Sequence, residues 1–448
     1  MRDALLGREA KDTDFLVPGV DIDGLRAKLA PHGRTEELVV AGRAVGVRFF
    51  PRDRAVRRRA PAGIELAPPR REISTGPGRH DFDIVVDPSA SVEDDLRRRD
   101  FTINAIARRL SDGRIVDPLG GRADLERHVL RAVSPRSFAE DPLRLVRGLR
   151  FVSQLDLDPD EATLEQMRRE APAVVHVSGE RIGGGLAADG RGELSKLLEG
   201  AHPAKALRLA RDTGVLVHVL PEFEPAIGFA QESRHHALTV DEHTFEVVQA
   251  AASLGLPLRI RLAALFHDLG KPRVAWRGTD GRLHYYAKPG RSAHSHEQVS
   301  ARLASEALSR LRYPTALRTR VTRIVRGHMI DPGRGGAVRA RRLLARYGDE
   351  LLLDLLDHKH ADLLGKGGAP LEEELQELAR FRKLVLEQRR FPHRISDLAV
   401  DGNDLIRIGY RPGPVIGGEL RRLLEEVLAE PELNTRAALL ARAKAALA

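Results

Sequence analysis

Asp12 and Asp14 stand one residue apart in the stretch KDTDFLV. On a strand, the side chains at i and i+2 share a face, about 6.5–7 Å apart along the chain. Two anions placed so repel one another unless a divalent cation lies between them. Oxygen ligands and a phosphate-type substrate favour Mg2+. Two such ions activate an attacking hydroxyl and stabilise a leaving pyrophosphate. A third carboxylate belongs on a strand beside the pair: Glu65 in GIELA is the first choice and Asp83 in DFDIVV the second.

A second constellation lies in LAALFHDLGKP, where His267 adjoins Asp268 in a helical pattern ending at Gly270. Adjacent His and Asp grip one metal from successive positions. The chain has no Cys, so disulfides and Cys-ligated zinc are excluded and any metal must be held by Asp, Glu and His. His243 lies upstream, and His296, His328 and Asp362 lie downstream. A third constellation is EDPLRLVRGLRF, with Asp141 and Arg144 at i and i+3, neighbours on a helix. Asp accepts and Arg donates hydrogen bonds, so together they imitate a Watson–Crick edge.

Two kinds of element must position these groups. Up to about residue 133 the chain mixes short helices with β-like runs: TDFLV, ELVVAGRAVGVRFF, GIELA, FDIVV and RIVDP. Between them PRDRAVRRRAPAG reads as a solvated loop. From about 134 onward helical spacing dominates, beginning with Leu143, Val146, Leu149 and Val152. GERIGGGLAADGRGE reads as a loop interrupting a helix. The predicted fold class is α+β, a small mixed head followed by a long helical body. With 448 residues, a chain of two to four domains can bury a large core.

Apolar residues make up 42% and charged residues 31%, a globular balance. No window approaches ~18 consecutive apolar residues and the N-terminus lacks a secretory core, so the expectation is a cytoplasmic protein without a membrane partner. The net charge of +9, carried mostly by Arg, suits phosphate and nucleic acid. Aromatics are only 4%, which argues against base stacking as the main grip.

The order and spacing of DTDFLV, RRRDFTINAIARRL, DPLGGRADLE and EDPLRLVRGLRF resemble the bacterial class II tRNA nucleotidyltransferase and poly(A) polymerase family over nearly the whole chain. That family adds nucleotides to RNA 3′ ends without a nucleic-acid template, using a polymerase-β-like head. The resemblance implies CCA addition to tRNA from ATP and CTP, with Mg2+ on Asp12 and Asp14; Glu65, chosen for its strand beside them, is expected to be the third catalytic carboxylate. It implies nucleotide-binding roles for Arg2, Arg99, Asp100, Asn104, Glu140, Asp141, Arg144 and Arg147. Asp117, Gly120 and Gly121 match the hinge between head and neck. The H…HD…D order resembles the HD phosphohydrolase superfamily, which implies a divalent metal of unknown identity on His243, His267, Asp268 and Asp362, with His296 and His328 nearby. Such a domain implies phosphatase or cyclic phosphodiesterase activity on RNA ends. Asp404, Gly409, Pro412, Gly413 and Gly417 keep the pattern of a tail that grips tRNA. The implied division is a head at 1–133, a neck at 134–225, an HD domain at 226–370 and a tail at 371–448. Alternatives are an A-adding, CC-adding or poly(A) polymerase relative, or an HD phosphohydrolase whose head only binds RNA.

The chain departs from the family at three places. Met1 stands where the family has the valine of a G-G-x-V stretch, and the expectation is that a strand and two glycines precede it in the gene. The Arg-rich stretch 52–59 looks inserted. GGGLAADGRGE follows Glu180-Arg181-Ile182 in a motif that normally runs on as one helix.

Overall fold

The computed structural model describes residues 1–8, 14–40, 42–74, 82–185, 191–232, 238–279, 281–288, 293–331, 336–366 and 372–447. They form two compact units: Met1–Phe223 with Arg310–Tyr313, and Glu224–Ser309 with Pro314–Ala448.

The first unit begins with a four-stranded sheet of β1 (Asp14–Leu16), β2 (Gly33–Val40), β3 (Arg43–Pro51) and β4 (Ile64–Ala67), in the order β1-β4-β3-β2. β1 runs parallel to β4, while β3 is antiparallel to both β4 and β2. Val45, Val47 and Phe49 alternate along β3 and are buried, which fixes its register against the core. The long run ELVVAGRAVGVRFF is therefore two strands of a hairpin, not one. Gly42, at φ +76°, supplies the left-handed residue that the turn between them needs. A second ribbon pairs β5 (Arg70–Ser74) with β6 (Phe82–Val86).

PRDRAVRRRAPAG is not a plain loop. Residues Arg54–Arg59 form a helix whose N-cap, Asp53, accepts from the amides of Ala55 and Val56 at 2.8 and 2.9 Å. Arginine is a good helix former and aspartate a good N-cap, and these local signals outweigh the flanking prolines and glycine.

The main helix of this unit is Leu143–Leu155. It buries Leu145, Val146, Leu149 and Val152 along one face, as their spacing requires. Phe101 meets Phe138 and Phe151 at ring-centroid distances of 6.1 and 5.8 Å. Gly148 leaves room for this cluster, since a Cβ there would lie 2.9 Å from the Phe101 ring. Beyond it, Glu180–Gly184 forms a single wide helical turn, and a new helix starts at Glu193.

Among the described residues, the second unit is helical apart from a small antiparallel pair, Trp276–Arg277 with Leu283–His284, and an isolated antiparallel bridge between Ala230 and Thr239. Helices Val240–Ser253, Leu258–Phe266, His296–Arg310, Thr315–Gly327 and Asp349–Leu364 surround the His-Asp sequence. The helix carrying that sequence ends at Phe266, not at Gly270: His267 is its C-cap, and a short helix restarts at Lys271. The last helices, Gly402–Arg407, Pro414–Ala429 and Arg436–Leu447, share a core of Leu405, Leu423, Val427 and Leu439. Among the described residues, no helix is long and apolar enough to cross a membrane.

Candidate functional sites

Asp14 and Glu65 are direct register partners in the parallel pair β1–β4. Residues so paired project from the same face, so the strand argument for Glu65 corresponds to a real adjacency with Asp14. Glu65 accepts from Arg48 Nη2 at 2.5 Å and Nε at 3.2 Å. Both side chains are 41% exposed. An ion pair that open is worth about 0–1 kcal/mol, so a cation can displace Arg48 at little cost. Asp12 and the side chain of Asp83 lie outside the described residues.

A cavity of about 420 Å³ in the same unit collects most of the other head and neck candidates. Arg2, Arg99, Asp100, Asn104, Asp141, Arg144 and Arg147 all line it. Its described lining holds eight arginines against three aspartates, an anion-seeking cleft. Asp100 organises the floor. Its Oδ1 accepts from the Phe101 amide at 2.9 Å and from Asn104 Nδ2 at 2.8 Å. Its Oδ2 accepts from Arg147 Nε at 2.8 Å and Nη2 at 2.7 Å. Burial alone would raise this carboxyl. The Arg147 charge and these hydrogen bonds outweigh burial and hold it below the usual value. Arg2 Nη1 donates to Asn104 Oδ1 at 2.8 Å, and its guanidinium sits 4.8 Å from the Phe151 ring centre.

Asp141 and Arg144 are not the helical neighbour pair that their spacing suggests. Asp141 lies in extended backbone before the helix start, not within it. Its Oδ1 accepts from the Leu143 amide at 3.1 Å, and its Oδ2 pairs with Arg181 at 3.0 Å. Arg144 turns instead to Glu140 at 3.3 Å and to the carbonyls of Ser137 and Arg98 at 3.2 and 3.0 Å. Glu140 thus supports Arg144 and is not among the residues lining the cavity.

Sequence reasoning missed Arg150, Arg181 and Glu193. Arg150 Nη1 pairs with Glu193 at 2.7 Å, and Arg147 Nη1 lies 3.7 Å from the same carboxylate. Burial pushes Arg150 down to about 10, still protonated at neutral pH, and its buried Nε has no hydrogen-bond partner among the described residues. Such a donor invites an anion. Arg150 was visible in principle, three residues past Arg147 on one helical face. Arg181 and Glu193 come from a distant segment; Arg181 falls in the Glu180-Arg181-Ile182 motif, but nothing local ties either residue to this cavity.

In the second unit His243, His267, Asp268, His296, His328 and Asp362 converge, and all are buried. The imidazoles are oriented from outside. Nδ1 of His243, His267 and His328 donates to the carbonyls of Gly365, Ala264 and Val325 at 3.0, 2.8 and 2.7 Å. This leaves Nε2 as the inward atom. His243 and His267 face each other Nε2 to Nε2 at 3.2 Å, as do His296 and His328 at 3.3 Å. Lone pairs so close need a cation or a proton between them, and a backbone-anchored Nδ1 is the usual outer support of a metal-binding histidine. Potential ligand atoms of His243, His267 and Asp268 lie within 4.8 Å of one another, as do those of Asp268, His296 and His328. Asp362 reaches His243 Nε2 at 3.2 Å. The donor set fits a divalent metal, with Asp268 common to both groups. Lys271 Nζ lies 2.6 Å from Asp268 and 2.6 Å from Gln231 Oε1.

His358 is a further histidine that sequence reasoning missed. It is fully buried, with neither ring nitrogen hydrogen-bonded among the described residues, and its ring lies 5.1 Å from that of His267. It sits one helical turn before Asp362, a spacing legible in HKHADLL.

Residues 1–131 match the Poly A polymerase head domain, 156–227 the probable RNA and SrmB-binding site of polymerase A, and 240–377 the HD domain. A protein of Azoarcus sp. named Multifunctional CCA protein is 34% identical over 381 residues, 82% of each chain. The chain belongs to the tRNA nucleotidyltransferase and poly(A) polymerase family. A Deinococcus radiodurans family member named A-adding tRNA nucleotidyltransferase is 35% identical, covering 79% of this chain and 78% of that one. Among solved structures, the Bacillus stearothermophilus CCA-adding enzyme in complex with CTP shares the fold, with a TM-score of 0.66 at 23% identity over 100% of this chain and 92% of that one. The chain is thus a nucleotidyltransferase by family, with an HD domain appended. Near the C-terminus, Asp404 is taken up by Arg407 at 2.6 Å and Arg436 at 2.7 Å.

Proposed function

We propose that this protein adds CCA to the 3′ end of tRNA from CTP and ATP, without a nucleic-acid template. The observation that carries this reading is the arginine-lined cavity whose floor is the Asp100–Arg147–Asn104 network. Its support comes from relatives named for CCA addition and from a neighbour solved with CTP. In this reading residues 1–133 form the head, 134–225 the neck, 226–370 the HD domain and 371–448 a tRNA-binding tail, and the enzyme is cytoplasmic.

The reaction joins the tRNA 3′-oxygen to the α-phosphorus and breaks the bond to the β-phosphate, releasing pyrophosphate. Asp12 and Asp14, with Glu65 beside them, would hold Mg2+, which when bound supplies activation of the hydroxyl and neutralisation of the pyrophosphate. Arg2 and Arg150 receive triphosphate oxygens. Arg99 and Asp100 hold the nucleotide at the ribose. Asp141 and Arg144 present an acceptor and donors to the base edge. Because Arg181 occupies Asp141 and Glu140 occupies Arg144, both hydrogen-bonding groups are held apart in fixed orientations before a base arrives.

Base choice can be tested directly. Asp141→Ala or Arg144→Ala is expected to admit UTP and GTP, lowering selectivity roughly five- to 150-fold, because a good bidentate base contact is worth ~1–3 kcal/mol. Competition between the four nucleotides reads this, and unchanged selectivity in both variants would reduce the two residues to a scaffold role.

The HD centre is proposed to release phosphate from 2′,3′-cyclic or 2′-phosphate RNA ends. His267→Ala with Asp268→Ala should abolish that release and leave CCA addition intact. If the parent releases none with Mg2+, Mn2+, Co2+ or Ni2+, the centre is structural. For the main reading, tRNA lacking its 3′ end is incubated with CTP, ATP or both. Incorporation of C first, and of A only after C, is expected. Incorporation of A alone into that tRNA would replace the reading with an A- or poly(A)-adding activity.

A further inference from the structure

We propose that the arginine-rich insert of the head is a binding site for the phosphodiester backbone of RNA. The proposal rests on the RNA-substrate reading above and concerns a surface that the nucleotide cavity does not include.

Residues 52–59 hold five arginines and one aspartate. The aspartate, Asp53, is spent on capping the helix Arg54–Arg59. Two of the arginines are aimed by backbone carbonyls. Arg57 Nε and Nη2 donate to the Pro51 carbonyl at 3.1 and 3.0 Å, and Arg52 Nη1 donates to the Pro31 carbonyl at 3.2 Å. A carbonyl fixes the direction of a guanidinium and leaves its charge uncompensated. Arg52 and Arg57 have no carboxylate partner among the described residues. They line a recess of about 340 Å³ together with Gly33, Arg34 and Phe50. Arg34 pairs with Glu36, and its guanidinium lies 4.6 Å from the Phe50 ring centre, which fixes its plane as well. All five arginines of the insert are exposed.

Held this close, like charges repel, and the arrangement is relieved by an anion. Guanidinium forks match phosphate oxygens two at a time. A polyanion with a charge at every nucleotide fits a recess plus a six-residue helix studded with Arg54, Arg58 and Arg59 better than a single small phosphate does. Phe50 is covered by Arg34, so the site reads backbone rather than base. The sheet order supports a role separate from chemistry: Asp14 and Glu65 lie on β1 and β4, whereas Gly33, Arg34 and Phe50 lie on β2 and β3 at the other side of the sheet. The recess shares no lining residue with the nucleotide cavity.

The test measures the affinity for tRNA lacking its 3′ end at several salt concentrations. Arg52→Gln with Arg57→Gln is expected to lower the slope of log affinity against log salt by about two units, near 0.9 for each phosphate no longer neutralised. The corresponding pair of Lys substitutions should keep the slope. Arg277→Gln with Arg302→Gln, also exposed but already paired with Glu232 and Glu306 and outside the segment that matches an RNA-binding site, should leave it unchanged. Excess CTP or inorganic pyrophosphate should not protect the insert from the effect, since those anions belong to the other cavity; full competition by either would overturn the proposal. Nucleotide addition with an unaltered slope in the Gln pair, or an equal drop in the control pair, also overturns the insert site while leaving the enzymatic reading in place. Insert-dependent tRNA binding without nucleotide addition would do the reverse. A parent that does not bind tRNA defeats both.

Discussion

Replacing Asp12 and Asp14 together with Ala is expected to abolish nucleotide addition, a fall of at least about a thousandfold, because metal-centred stabilisation of the displacement supplies several kcal/mol. tRNA affinity should stay nearly unchanged, since binding rests on phosphate contacts from Arg and Lys spread over the body. The expectation follows from the sheet. Asp14 is the register partner of Glu65, and a cation attracted to one lies beside the other. Steady-state addition at saturating nucleotide, with binding measured separately, checks both halves. Activity within about tenfold of the parent would remove the carboxylates from the mechanism, because a tenfold change corresponds to only ~1.4 kcal/mol.

The second large effect is expected at Asp100. Asp100→Asn leaves the half-buried Arg147 with a single carboxylate, Glu193, 3.7 Å away. Because the Arg147 side chain stays one-third exposed, solvent offsets part of the ~3–5 kcal/mol that breaking a fully buried pair costs, and a loss of about 1–3 kcal/mol is expected. Nucleotide binding should weaken with it, since Asn104 and the Phe101 amide lose their charged acceptor. The pH dependence distinguishes an electrostatic cause from poor packing. Asp100 has a lowered folded-state pKa, so its contribution is present above the unfolded value near 3.9 and is lost as pH falls through the folded value. In Arg147→Met the sign reverses: burial then dominates, the carboxyl moves up, and stability falls as pH climbs above about 4. Denaturant midpoints at pH 4 and pH 7 read the difference. A parent and an Arg147→Met variant with parallel pH profiles would show that the pair is not electrostatically coupled.

Much of this site is legible in the sequence. Arg99, Asp100, Asn104 and Arg147 can be named because they fall in contiguous motifs, and the helix spacing of Leu143 to Val152 places Arg147 on a definite face. The candidate metal-holding residues of the HD domain are legible for a related reason, since they follow one another along the chain in a recognisable order. Local pattern fails where the chain changes conformation within a motif. The i, i+3 spacing of Asp141 and Arg144 suggests one helix running through both. The structure instead makes Pro142 the cap and leaves Asp141 extended, so its partner comes from residue 181 rather than from three residues on. The arginine-rich stretch 52–59 misleads for the opposite reason: its flanking Pro and Gly conceal a short capped helix. Glu193 and Arg181 depend on segments brought together only by tertiary packing, and no local periodicity encodes such a meeting, whereas His358 shares a helix with Asp362 and could have been named from their i, i+4 spacing.

One arginine-lined cavity, in this reading, directs the ordered addition of C, C and A. Sequencing the 3′ ends of tRNA that lacked CCA, after incubation with this protein, CTP and ATP, tests that claim most directly. The expected ends terminate in CCA and stop there. Ends carrying A alone, runs of A, or CC without A in the presence of ATP would contradict it.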